Sequence, residues 1–129
     1  MLIMHLVHYA GRETMAVMRY LLLIGGEDDG SGVTSKDVCD EGDAVAWAEE
    51  MTRRRVLLNG QALHPPEDAT TVRVRGGEVL LSDGPFAETK EQIGGLCVIE
   101  CADLDEALEI AATHPVARHG MVEVRPIWE

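Results

Sequence analysis

The stretch Thr70-Thr71-Val72-Arg73-Val74-Arg75-Gly76-Gly77-Glu78-Val79-Leu80-Leu81-Ser82-Asp83 holds two strand-like runs on either side of a Gly-Gly pair. A two-residue loop between strands needs positive φ, which glycine takes without a Cβ clash, so the pattern predicts a β-hairpin turning at Gly76-Gly77. Counting outward from that turn sets Arg75 opposite Glu78, Val74 opposite Val79, Arg73 opposite Leu80, Val72 opposite Leu81, Thr71 opposite Ser82 and Thr70 opposite Asp83. Side chains alternate between faces. Val72, Val74, Val79 and Leu81 therefore share one apolar face, expected to be the core side, while Arg73 and Arg75 take the other. Arg75 is expected to pair with Glu78 across the strands.

Downstream, Asp83-Gly84-Pro85-Phe86-Ala87-Glu88-Thr89-Lys90-Glu91-Gln92 packs turn, aromatic and charged residues together. Gly84 can take positive φ, Pro85 fixes its own, and the Asp83 carboxylate can cap nearby backbone N–H groups. Gly95 to Cys101 reads as a further strand. Asp103 then opens a helix as N-cap with Glu106 reaching back, and Leu104, Ala107, Leu108 and Ala111 form the expected buried stripe. Pro115 stops that helix after His114, and Met121 to Ile127 closes the chain as a strand.

Upstream, Val56-Leu57-Leu58 is a short strand leading through Asn59-Gly60 to Leu63-His64-Pro65-Pro66. From Asp43, Ala44, Trp47, Ala48 and Met51 recur at helical spacing, with acids at the start and Arg53, Arg54 and Arg55 at the end, as the helix dipole favours. Tyr20-Leu21-Leu22-Leu23-Ile24 is a continuous apolar run ended by Gly25-Gly26. Its lack of alternation predicts burial on both faces, one against a helix and the other against a partner subunit. The order is strand, helix, strand, hairpin, strand, helix, strand, which is an α+β fold.

These segments together, from Met18-Arg19-Tyr20-Leu21-Leu22-Leu23-Ile24 through Leu63-His64-Pro65, the hairpin, Asp83-Gly84-Pro85-Phe86 and Gly94-Gly95-Leu96 to Val122-Glu123-Val124-Arg125-Pro126-Ile127, resemble the signature of the DGPF proteins, a branch of the YCII-related family. The resemblance implies a ferredoxin-like antiparallel sheet with two helices, paired face to face into a homodimer of the dimeric α+β barrel type. It implies a function that is mostly uncharacterised. Acid–base chemistry by a His–Asp pair is implied for some YCII relatives, with the histidine near the first helix, where this chain has none. Glycine is common in the family near Arg55, at a left-handed helix end, so this chain is expected to end the helix differently at some cost. The resemblance starts at Met18, so residues 1–17 are read as an N-terminal extension and 18–129 as one domain.

The 129 residues suit a single core, and the formal charge of −12 argues against nucleic acid and anionic membrane as partners. The Arg53-Arg54-Arg55 run reads as a solvated helix end. Cys97 and Cys101 lie four apart on one strand face, too far along it to be bridged, and with Cys39 they indicate thiols in a reducing, cytoplasmic setting. The apolar start of the chain is too short for a membrane span. His5 with His8 and His114 with His119 lack a third ligand at metal spacing, and Gly25-Gly26 lacks the Lys-Ser/Thr of a phosphate loop.

In the predicted register Asp83 lies at the Thr70 end of the hairpin, and His64 precedes Thr70 by six residues on a proline-stiffened loop. The expected catalytic pair is therefore His64 with Asp83, imidazole exchanging the proton and carboxylate orienting it. Arg73 is the candidate to hold a substrate oxygen by a forked contact, and Phe86, Glu88 and Lys90 are candidates to line the cleft. Two readings follow: a cofactor-free enzyme moving protons on a small molecule, or a non-catalytic dimeric ligand-binding or accessory module.

Overall fold

In the computed structural model the described backbone covers residues 17–27, 42–84 and 91–129, with two short strands at 6–9 and 12–15. Those two, β1 (Leu6–Tyr9) and β2 (Arg12–Met15), pair with each other antiparallel inside the stretch read from sequence as an N-terminal extension. The main sheet is built from β3 (Met18–Glu27), β4 (Leu57–Ala62), β7 (Glu91–Cys101) and β8 (Met121–Pro126), in the order β4-β7-β3-β8 and antiparallel throughout. With helices α1 (Gly42–Arg53) and α2 (Leu104–Ala112) as the crossovers, this is the expected ferredoxin-like α+β fold.

Tyr20, Leu22 and Ile24 of β3 share one face with Cys97, Ile99 and Cys101 of β7, and both helices cover it with Ala44, Trp47 and Met51 from α1 and Ala107, Ile110 and Ala111 from α2. Tyr20, Leu22 and Ile99 are fully buried, each such side chain stabilising the fold by roughly 1.5–3 kcal/mol. The two cysteines are free thiols in this core, and burial together with the Glu106 carboxylate pushes the Cys101 thiol up to about 11. The opposite face carries Leu21, Leu23, Leu96 and Val98, only half-buried, and no described helix lies over it.

Several local expectations need correction. The α2 stripe is Ala107, Ile110 and Ala111; Leu104 and Leu108 are exposed, because small residues let the helix sit close to the sheet on a rotated face. The Asp103 cap forms, its Oδ1 accepting from Glu106 N at 2.9 Å, but Glu106 reaches Ala102 N rather than its neighbour. β3 runs on through Gly25-Gly26 past a bulge, since Gly25 has its backbone against Gln92, where a Cβ would stand 2.1 Å from the carbonyl oxygen. β4 likewise continues through Asn59-Gly60, with Leu58 bulged out.

The hairpin β5 (Thr70–Arg75) and β6 (Glu78–Asp83) has the expected register at every pair, with Gly76 and Gly77 at φ 57° and 78°. It is inserted between β4 and β7 as a separate two-stranded sheet. Its apolar face is not on the core side: Val72, Val74, Val79 and Leu81 are 59, 56, 62 and 67 % exposed, whereas Thr71 and Arg73 on the other face are half-buried. Outside the main sheet, the hairpin has no described helix to pack on. Arg75 donates to the Val74 carbonyl instead of pairing with Glu78.

Helix α1 ends in a left-handed residue even without glycine. Arg55 sits at φ 60°, Val56 N bonds Met51 O at 2.9 Å and Arg55 N bonds Thr52 O at 3.0 Å, a Schellman pair sealed by the buried contact of Val56 with the Met51 end of the helix. A side chain in that region costs about 1 kcal/mol, and Arg55 is exposed with nothing to hold it there. Arg55→Gly is expected to raise the unfolding free energy by about 0.5–1 kcal/mol, read from the urea midpoint; an unchanged or lower midpoint would contradict the assignment.

His114 is a core residue, 4 % exposed, its ring meeting Trp47 edge-on at 4.7 Å and its Nδ1 accepting from Val116 N at 3.1 Å to cap the short turn Pro115–Arg118. Burial lowers its proton affinity. Above pH about 6.5 the folded and unfolded chains both hold it neutral; below, the unfolded chain takes up a proton that the folded one resists, so stability falls as pH drops through the depressed native value. His114→Asn keeps a capping acceptor and removes the titration, so its urea midpoint is expected to fall less than the wild type's between pH 7.5 and 5; parallel falls would refute this.

Candidate functional site

β4 leaves the sheet at Leu63, whose N–H bonds the Gly94 carbonyl at 2.8 Å, and the chain enters His64-Pro65-Pro66. Two fixed φ angles in succession favour a tight turn, and Pro66 opens a one-turn 3₁₀ helix, Pro66–Asp68, where its missing N–H costs nothing. Asp68 N bonds Pro65 O at 2.9 Å and Ala69 N bonds Pro66 O at 3.0 Å. The turn brings the side chains at its two ends together: His64 Nδ1 lies 3.0 Å from Asp68 Oδ2. A carboxylate can only accept, so the imidazole donates from Nδ1, leaving Nε2 as the nitrogen that can exchange a proton with another molecule. Both side chains face solvent, His64 at 88 % and Asp68 at 55 % exposure.

Asp68 leads at once into the hairpin root. Gly84, at φ 92°, donates its N–H to Ala69 O at 2.7 Å, and Thr71 Oγ1 donates to Gly84 O at 2.9 Å. Thr70 pairs with Asp83 as expected. The root is thus clamped on both strands, fixing where the Asp83 backbone sits relative to Asp68.

No hydrogen bond or ion pair joins His64 to Asp83; the carboxylate that orients His64 is Asp68. Strand alternation also separates the other expected partners. Asp83 lies on the face of Val72 and Leu81, and Arg73 on the face of Leu80, so Asp83 and Arg73 point to opposite sides of the hairpin. Arg73 is half-buried and already engaged within the chain. Phe86, Glu88 and Lys90 lie outside the described residues, as does Cys39. The signal for Asp68 was present in the sequence: proline at the first position of a turn, with His and Asp four apart around it.

A second polar cluster occupies an open groove between the start of α1 and the Pro115–Arg118 turn, lined by Asp43, Trp47, Thr113, His114 and Arg118. Trp47 Nε1 donates to Thr113 Oγ1 at 2.8 Å, Thr113 donates on to Ile110 O at 2.6 Å, and Arg118 meets Asp43 at 3.4 Å. These contacts close the ends of both helices. The Arg53-Arg54-Arg55 run is exposed, with Arg53 pairing Glu50 within its own helix. Among the described residues no three His, Cys, Asp or Glu side chains gather at metal-binding distance, and no helix is long and apolar enough to cross a membrane.

The chain is similar to an uncharacterized protein of Rhizobium meliloti (strain 1021), with 49 % identity over an alignment of 105 residues and a match that covers 68 % of this chain and 85 % of that one. The family model of the YCII-related domain matches residues 18–129, which takes in both helices, the four-stranded sheet, the hairpin and the His64–Asp68 turn. This chain belongs to the YCII-related family.

Proposed function

We propose that this protein moves protons on a small organic molecule, without a cofactor, using His64 as the exchanging group and Asp68 to orient and charge-stabilise its ring. The observation that carries the reading is the 3.0 Å contact of Nδ1 with Oδ2 across a proline-set turn, which occupies Nδ1 and leaves Nε2 for proton exchange. Asp83, fixed at the adjoining hairpin root, adds a second carboxylate near the same end of the hairpin. Arg73, with Phe86, Glu88 and Lys90, remains the proposed means of holding the molecule. The working unit is a homodimer, supported by the half-exposed apolar face of the main sheet, and its buried free thiols suit the cytoplasm.

The high exposure of His64 favours a second reading, a dimeric module that binds a ligand without turning it over. Solvent hydrogen exchange separates the two. Small 2-oxo and 3-oxo acids are incubated with protein in D₂O, and deuterium entry at the acidic carbon is followed by NMR. The wild type is expected to accelerate exchange of at least one such acid, and His64→Gln to lower that rate about 100-fold or more, with a smaller loss for Asp68→Asn. Equal rates for wild type and His64→Gln would remove the catalytic reading; binding seen by chemical-shift change without exchange would establish the second.

A further inference from the structure

Among the described residues, His114 is the buried polar side chain, and its hydrogen bonding is incomplete. Nδ1 is taken by the Val116 N–H, so the single proton of the neutral ring sits on Nε2. That N–H has no partner among the described residues. Yet no side-chain nitrogen or oxygen sealed from solvent is left unpaired there. The small exposed part of His114 therefore includes Nε2, which opens on the groove between the start of α1 and the Pro115–Arg118 turn.

The other polar groups at the floor of this groove are already taken. Trp47 Nε1 donates to Thr113 Oγ1, Thr113 donates to Ile110 O, and His114 N closes Ala111 O. What is left is a donor, which calls for an acceptor. Arg118 lines the same groove; its Nε donates to Pro115 O and its Nη2 reaches Asp43, both at 3.4 Å, leaving Nη1 without a partner among the described residues. We propose that this groove binds the carboxylate of a small organic acid, with oxygens accepting from His114 Nε2–H and from the Arg118 guanidinium.

Charge and size narrow the ligand to a monocarboxylate. Asp43 and the net charge of −12 repel a second negative charge, which disfavours phosphate and dicarboxylates. Asp43 itself is no bar to a single one. Its side chain is 75 % exposed and its contact with Arg118 is long, so it swings aside at little cost. The groove holds about 560 Å³ and is walled by Ala46, Ala112 and Pro115, which leaves room for a body of a few carbons against Trp47.

This site is distinct from the His64–Asp68 turn and does not rest on the catalytic reading of that turn. Ala62, Gly95, Ile24 and Val122 form one row across the main sheet. His64 follows the β4 end of that row, and the Pro115–Arg118 turn precedes its β8 end, three strand spacings or roughly 14 Å away. An acid held in the groove ties the start of α1 to the turn that feeds β8, and leaves the His64 imidazole free.

The test is Trp47 fluorescence of the full chain in a Trp128→Phe background, Trp128 being 98 % exposed and the other tryptophan of the chain. Sodium butyrate is titrated against sodium chloride and butyramide at matched ionic strength. Butyrate is expected to give a saturable change, and the other two to bind weaker by about ten-fold or more. Arg118→Gln alters an exposed side chain, so its circular dichroism should match the parent while butyrate affinity falls by about ten-fold or more. A butyrate response no different from that of chloride, or an Arg118→Gln variant that binds as tightly as the parent, overturns the site. His64→Gln is expected to bind butyrate as the parent does; a loss there places the acid at the other turn and refutes the groove. Nitrogen-15 NMR of the imidazoles gives a second measurement: butyrate is expected to move the His114 Nε2–H signal more than any other ring signal, and a shift centred on another histidine contradicts the proposal.

Discussion

Strand β3 bonds to β7 along one edge and β8 along the other, and this double pairing is the constraint on which the rest of the molecule depends. It places Tyr20, Leu22 and Ile24 in a single row with partners on both sides, giving α1 and α2 one continuous apolar floor. The ladder is tight enough that Gly25 and Gly120 have no room for a side chain, each standing against a neighbouring backbone carbonyl. A Cβ at either position would force the strands apart where β3, β7 and the entry to β8 converge.

A sheet covered by helices on one side must do something with its other side. Here Leu21, Leu23, Leu96 and Val98 stay half-buried and uncovered by any described helix. The hairpin inserted between β4 and β7 adds a second apolar surface instead of shielding the first. A chain of this size buries a modest fraction of its surface, and here neither apolar face has a described helix over it.

The polar chemistry is divided in the same manner. Among the described residues the interior polar side chains find partners close by: Trp47 with Thr113, Thr113 with Ile110, and His114 with Val116. These contacts fasten helix ends, and burial keeps His114 neutral at ordinary pH. The exposed pair His64 and Asp68 sits outside the core on a turn whose geometry comes from two prolines rather than from packing. Such a pair is preorganised by its own backbone and needs neighbouring surface to exclude water from it.

Local chemistry made much of this legible in the sequence. Gly76-Gly77 set the hairpin register to the residue, helical spacing found Ala44, Trp47 and Met51, and Asp103 marked the start of α2. Each depends on backbone preference or short-range periodicity, which a linear string records. What tertiary structure alone decided is where those elements face. Hydrophobic alternation shows that Val72, Val74, Val79 and Leu81 share a side, but not whether that side meets the core, because that depends on which elements lie beneath it. In the same way, a histidine followed by several carboxylates does not announce its partner: the 3₁₀ turn gave His64 to Asp68 and not to the expected Asp83, since a distance between side chains is fixed only when the backbone between them is folded.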